Sequence, residues 1–377
     1  MKESIQMVDL YGQYQHIKQD VDDAILQVIE SSAYIKGPAV KKFENNLGSY
    51  LNAGTVISCA NGTDALQIAL MALNLKRGDE VIVPAFTYVA TAEVIGLLGL
   101  VPVLVDVDAK TFNLTADLIR PVISERTKVI IPVHLFGQCT DMEDILILAR
   151  QHNIYVIEDN AQALGAVYTF SNGDRKHAGT LGNIGCTSFF PSKNLGCYGD
   201  GGALFSNDQE LVAQIKMIAN HGQIRKYYHE VLGVNSRLDT IQAAILDIKL
   251  KYLDNYITAR QHVASVYDEQ LNSIPEICIP YRATNSTHVF HQYTIQVLDG
   301  RRDELQEYLK ENGIPSMIYY PLPLYQQRAF KDIIKKAENI WVADILCEQV
   351  LSLPIHTEMD NGTQNYIVDT LHSFFSK

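Results

Sequence analysis

Between about residues 55 and 207, seven short runs rich in β-branched and aromatic residues alternate with segments of helical spacing: 56–60, 80–86, 101–108, 128–136, 155–161, 186–191 and 201–207. Several are apolar on both faces, as in Val81-Ile82-Val83 and Val129-Ile130-Ile131-Pro132-Val133. Strands of that kind belong to a mainly parallel sheet with helices over both sides. The covering helices are visible between them. Leu66, Ala69, Leu70 and Leu73 share one face after Thr63, and a further helix is predicted over 142–152. An α/β sandwich follows.

The texture changes beyond about residue 236. Ile241, Ala244, Ile245, Ile248 and Leu253 make a long helical stretch, followed by a β-like run at 292–298 and further helices. The pattern predicts a large domain over 1–250 and a smaller α+β domain over 251–377. At the other end, a helix-like stretch over 17–29 is expected to be terminated by Gly37-Pro38. The longest apolar run, 94–105, contains Pro102 and falls well short of the roughly 20 residues of a membrane span. It reads as a buried helix end, a turn and a strand.

Composition narrows the function classes. With 47% hydrophobic and 20% charged residues in 377, the chain is an ordinary folded one. Its net charge of −12 opposes attraction to nucleic acid or an anionic membrane. Lys2, Glu3 and Asp9 stand where a secretory leader would carry a basic and then an apolar segment, so a cytoplasmic protein is expected. The six cysteines form no C-x-x-C pair and no metal-like spacing, which reads as reduced, mostly buried thiols and no metal site.

In an open parallel sheet, ligands bind beyond the carboxyl ends of the strands, and four clusters fall there. Asn61-Gly62-Thr63-Asp64 starts a helix and can cradle an anion with backbone N–H groups and a hydroxyl. By itself it reads first as an Asn-Gly turn with Thr63 as helix cap, because such turns are common. Glu158-Asp159-Asn160-Ala161-Gln162 ends a strand in two carboxylates. Ser188 to Lys193 ends another in a lysine, with small residues from Gly196 to Gly202 behind it, and Pro84 to Tyr88 brings an aromatic ring. Each alone has a bland reading as turn, solvated or core residues. Together they fit pyridoxal 5'-phosphate. Gly62, Thr63 and Ser188 suit its phosphate; Tyr88 suits its ring. Asp159 suits the protonated ring nitrogen, Lys193 the aldehyde, and Gln162 the phenolic oxygen.

The residues Cys59 to Leu66 (CANGTDAL), Pro84 to Ala92 (PAFTYVATA), Glu158 to Gln162 (EDNAQ), Thr187 to Leu195 (TSFFPSKNL) and Gly233 to Ala244 (GVNSRLDTIQAA) carry a resemblance over essentially the whole chain. The sequence resembles the DegT/StrS family of nucleotide-sugar aminotransferases, which are aspartate aminotransferase-like transferases of fold type I. The resemblance implies Schiff-base attachment at Lys193, a ring-nitrogen partner in Asp159, and phosphate contacts from Thr63 and Ser188. It also implies that Asn235 reaches the cofactor phosphate of a neighbouring subunit, making the enzyme a homodimer with shared active sites. Because Lys193 is present where a dehydratase branch has histidine, amino transfer is expected.

The wording of Ser188 to Lys193, Leu195 to Ala203, His221-Gly222-Gln223 and Gly233 to Asp239 is similar to a subgroup that aminates C3 of UDP-2-acetamido-3-keto-glucuronic acid with L-glutamate, leaving 2-oxoglutarate. Both substrates carry a carboxylate, and Arg237 is the candidate to receive it; its bland alternative is a structural ion pair. In the segment Ile318 to Leu324 the resemblance gives Tyr320 a contact with the sugar nucleotide, while Tyr319 stands where a histidine is expected. His221, Tyr228 and His229 are candidates to close over the nucleotide. Two other classes compete. A non-catalytic regulator that binds the cofactor is opposed by the complete lysine and aspartate pair. A nicotinamide dehydrogenase lacks G-x-G-x-x-G after any predicted strand.

Overall fold

The computed structural model describes residues 5–376, so Lys2 and Glu3 lie outside the described residues. Each of the seven predicted runs overlaps a strand: Thr55–Cys59, Glu80–Pro84, Val101–Val105, Thr127–Ile130, Tyr155–Asp159, Ile184–Ser188 and Gly202–Ser206. They lie side by side in one sheet, in the spatial order 55–59, 202–206, 184–188, 155–159, 127–130, 80–84, 101–105. The five from Glu80 to Ser188 run parallel, whereas Gly202–Ser206 is antiparallel to both its neighbours. An eighth, two-residue strand, Lys335–Lys336, pairs with Val103 and Leu104 at the edge.

The strands stop one to six residues before the predicted runs do, because the chain turns out of the sheet where the candidate site residues begin. Within them the two-residue period divides an all-apolar run between two cores. Val81, Val83, Val129 and Ile131 face one layer of helices, and Ile82 and Ile130 face the other. A third core gathers residues between Val263 and Phe374 around a three-stranded antiparallel sheet of Ile277–Cys278, Tyr293–Val297 and Val350–Leu353.

The apolar run at 94–105 resolves as predicted, into the end of helix Ala90–Leu97, a turn and the strand Val101–Val105. Among the described residues, no helix is long and apolar enough to cross a membrane, and no cluster of side chains could hold a metal ion. Gly37-Pro38 acts otherwise than expected. The preceding helix, Lys18–Ser31, already ends at Ser32 in the left-handed conformation. Pro38 then opens the helix Pro38–Leu51 from an extended Gly37, because a missing N–H costs nothing in a first turn.

Candidate active site

The segment predicted to cradle an anion meets two others. Asn61 caps helix Gly62–Ala72, its Oδ1 accepting from Asp64 N at 2.8 Å. The cap is therefore Asn61, not Thr63, which places Thr63 in the first turn at the positive end of the helix. A Cβ at Gly62 would lie 2.7 Å from Ser188 Cβ, and one at Gly202 would lie 2.4 Å from the carbonyl oxygen of Asn61. Only glycine allows these backbones to approach so closely. Gly62, Thr63 and Ser188 are thereby gathered at one sheet edge.

Glu158 and Asp159 are neighbours in a strand, so their side chains leave on opposite faces. Glu158 accepts from the N–H groups of Gly179, Leu181 and Gly182 at 2.8, 2.6 and 2.6 Å. It also faces His134: Thr140 N donates to Nδ1 at 3.1 Å, which leaves Nε2 to donate to Glu158 at 2.8 Å. This carboxylate organises a loop. Asp159 is the one that faces the site. It is buried, with Oδ2 accepting from Thr91 Oγ1 at 2.8 Å and Oδ1 from Ala161 N at 3.2 Å. Burial pushes its carboxyl above the ordinary range, while Thr91, Ala161 N and the charge of Lys193 pull it back.

Lys193 follows the strand Ile184–Ser188 in a turn closed by its own N–H to Phe190 O at 2.8 Å. Burial lowers its pKa to about 8, against the opposing attraction of Asp159. Its Nζ lies 3.5 Å from His291 Nε2. Neither Thr91 nor His291 is recognised in the sequence reading. Thr91 stands inside the segment Pro84 to Ala92, but a threonine in a helix carries no distinguishing signal.

Gln162 joins two parts of the pocket wall, its Oε1 accepting from Phe136 N at 2.7 Å and its Nε2 donating to Tyr320 Oη at 3.1 Å. The Tyr320 ring meets Phe86 edge-on, with centroids 5.8 Å apart, and Tyr88 at 6.3 Å. Tyr88 is 56% exposed, so one ring face is open. Tyr319 is half-buried and 6.0 Å from the Tyr320 ring.

Asn235, Arg237 and His221 belong to the segment 220–237, which reaches the Asn61 turn through Ser236. Asn235 bridges to Asn220, and Ser236 Oγ accepts from Ala60 N at 3.0 Å. Arg237 lines a cavity of about 850 Å3 with Lys36, Lys41, Glu44 and Lys216. His221 is exposed, its carbonyl bonded to His229 Nδ1 at 2.8 Å, at the base of a hairpin bearing exposed Ile224, Tyr227, Tyr228 and Leu232.

The sheet and the lysine-carboxylate chamber at its carboxyl edge are those of an α/β transferase of fold type I. The chain belongs to the DegT/DnrJ/EryC1/StrS aminotransferase family, which it matches over residues 15–372. It is 47% identical over 367 residues, 97% of this chain and 99% of the relative, to the UDP-2-acetamido-2-deoxy-3-oxo-D-glucuronate aminotransferase of Pseudomonas aeruginosa. It is 44% identical to a pleiotropic regulatory protein of Geobacillus stearothermophilus, over 99% of both chains. The crystal structure of a family aminotransferase from Brucella abortus superposes with a TM-score of 0.94 at 38% identity, covering 99% of this chain and 100% of that one. That of ntda from Bacillus subtilis, with bound cofactor pmp, superposes at 0.86 and 30% identity, covering 95% and 82%.

Proposed function

We propose that this enzyme moves an amino group from L-glutamate to a nucleotide-linked keto sugar, at C3 of UDP-2-acetamido-2-deoxy-3-keto-glucuronic acid, in the cytoplasmic synthesis of surface polysaccharide sugars such as those of O-antigen or lipopolysaccharide. The carrying observation is the chamber in which the amine of Lys193, lowered to about 8, and buried Asp159 share one sheet edge with the Gly62–Ser188 contact. The C3 keto sugar is supported by the 47% identical relative and by a second, 42% identical over 356 residues, named UDP-N-acetyl-3-dehydro-alpha-D-glucosamine 3-aminotranferase.

The residues present fit pyridoxal 5'-phosphate. A Cβ would fill the Gly62 cradle, and Asp159 is a buried carboxylate whose charge calls for a cation. Gly62, Thr63 and Ser188 would hold the phosphate, Tyr88 the ring, Asp159 the ring nitrogen, Gln162 the phenolic oxygen, and Lys193 the aldehyde carbon. When bound, the group supplies an electron sink for a carbanion. Lys193 Nζ removes the α proton of glutamate and, in the second half-reaction, delivers a proton to the sugar carbon that receives nitrogen. A lysine near 8 can do both around neutral pH, since both its protonation states are populated. Asp159 stays ionised against a cation, and Thr91 keeps its carboxylate oriented. Buried Phe86, with the Tyr320 ring edge-on against it, keeps water from that side of the chamber.

We read Asn235, Arg237 and the hairpin around His221 as serving the site of a second subunit in a homodimer. The support is the cavity that Arg237 lines beside this segment and the exposed apolar side chains of the hairpin next to His221. Arg237 would then receive the carboxylates of glutamate and sugar in turn, with Tyr320, Tyr319 and His221 lining the nucleotide's path. The division at 250 and 251 belongs to the same reading, supported by the separate core between Val263 and Phe374.

Borohydride fixing of the cofactor should tag the peptide containing Lys193, and Lys193→Ala should abolish turnover. Glutamate-treated enzyme offered UDP- and dTDP-linked keto sugars should recover its original absorbance with the 3-keto glucuronate. The regulator-named relative motivates one alternative, a silent cofactor-binding protein. An unchanged spectrum on adding glutamate would establish that alternative.

A further inference from the structure

His291 shares the chamber of Lys193, and the reading above leaves it without a part. It is buried, with its Nε2 3.5 Å from Lys193 Nζ. Its segment is pinned from several sides. Arg260 Nη1 donates to the carbonyls of Phe290 and His291 at 3.1 and 3.4 Å. Asn194, the residue after Lys193, donates from Nδ2 to Val289 O at 2.9 Å. Gln292 N donates to Phe136 O at 3.3 Å, and a Cβ at Gly137 would lie 3.0 Å from His291 N. The loops that carry amine and imidazole are therefore tied to one another. Among the described residues, His291 Nδ1 has no hydrogen-bond partner, so the ring's polar contact is directed at the lysine alone.

We propose that His291 is a positioning residue that holds the Lys193 amine through Nε2 whenever that amine is not attached to the cofactor. This rests on Lys193 being the point of attachment and the base. A free lysine carries about 2 kcal/mol of rotamer entropy, and a fixed partner keeps its amine in the chamber with Asp159. The imidazole can serve both states of the amine, accepting from the ammonium with the proton on Nδ1 or donating to the free amine with the proton on Nε2. A charged ring could only repel the ammonium. Burial and the cations Lys193 and Arg260 hold His291 well below the ordinary histidine range, which keeps it neutral. The charged groups facing the pair are Asp159, toward Lys193, and Arg260, toward His291.

The test reads Lys193 directly in full-length, cofactor-free protein. Labelling with acetic anhydride across pH 6 to 10, quantified by peptide mass spectrometry, should give the wild-type amine a midpoint near 8. His291→Leu removes a partner that binds the ammonium, by a charge-assisted bond, more strongly than the free amine, so the midpoint should fall by about one pH unit, tenfold in the ratio of ammonium to amine. His291→Gln, which keeps a polar end, should restore most of that shift, as a merely structural side chain would not. In the loaded enzyme His291→Leu should raise the isotope effect with α-deuterated glutamate. If neither variant folds, the ring 15N resonances of His291 in wild-type protein should follow the Lys193 titration. An unchanged labelling midpoint in His291→Leu, or 15N resonances indifferent to that titration, overturns the proposal alone. A borohydride tag on another lysine overturns it together with the assignment of Lys193.

Discussion

Replacing Thr91 by valine tests the electrostatics of the chamber while keeping its shape. The hydroxyl donates to Asp159 Oδ2 at 2.8 Å inside the protein, and its other neighbour is Thr87 Oγ1 at 3.4 Å. A hydrogen bond to a charged group contributes about 1.5–3 kcal/mol. At 1.36 kcal/mol per pKa unit, its loss raises the Asp159 pKa by about one to two units relative to wild type. The sign follows from the form being stabilised: Thr91 favours the carboxylate, and amino transfer needs the carboxylate. In single-turnover absorbance experiments with glutamate from pH 5 to 9, the acid limb of Thr91→Val should therefore move to higher pH by that amount. Thr87→Val, which leaves the Asp159 contact in place, should move it by less than about 0.5 unit. Stability gives a second reading. Because the folded pKa of Asp159 already lies above its unfolded value, ionising it costs stability as pH rises through the folded pKa. The variant deepens that cost, so its deficit relative to wild type should be present where Asp159 is ionised and vanish once acid protonates it. An acid limb coincident with wild type would refute the role given to Thr91.

Gly62→Ala places a methyl 2.7 Å from Ser188 Cβ; equilibrium dialysis should show pyridoxal 5'-phosphate affinity reduced at least tenfold, with unaltered circular dichroism. Glu158→Gln offers one acceptor oxygen where three backbone N–H groups converge. It should destabilise the fold by about 2–4 kcal/mol in urea titration, while the Lys193 tag stays in place. If Asn235 and Arg237 serve a partner's site, mixed Lys193→Ala and Arg237→Ala subunits, each inactive alone, should recover about a quarter of wild-type turnover, because half the dimers are hybrids with one intact site of two. No recovery after subunit exchange, verified by native mass spectrometry, would place both residues in one site.

The sheet was legible because burial on both faces admits few residue types: a run such as Val81-Ile82-Val83 has no polar side to offer water. Its edge was not. Lys335–Lys336 is exposed and joins the sheet through backbone bonds to the strand of Val103, and backbone pairing leaves no mark on side-chain pattern. Gly37-Pro38 was misread because glycine before proline suits a helix start as well as a stop; the end of the preceding helix was decided at Ser32. Asp159 and Lys193 stood out as reactive groups where apolar strands give way. Thr91 and His291 did not, since they meet those groups across 68 and 98 positions of chain.

The neighbouring carboxylates show why such contacts resist a linear reading even at a conspicuous motif. Pattern alone makes Glu158 and Asp159 equivalent, and the two-residue period of the strand separates them. One turns toward three N–H groups of the segment 179–182, the other toward Thr91 and the lysine. Which carboxylate faces Lys193 depends on which strand face meets helix Ala90–Leu97. That is a property of how the layers stack. The same stacking brings the Lys193 turn beneath the segment of His291 and lets Asn194 tie the two together. The two reactive groups were accordingly visible in the sequence, while the partners that tune them depend on packing and appear only once the layers are assembled.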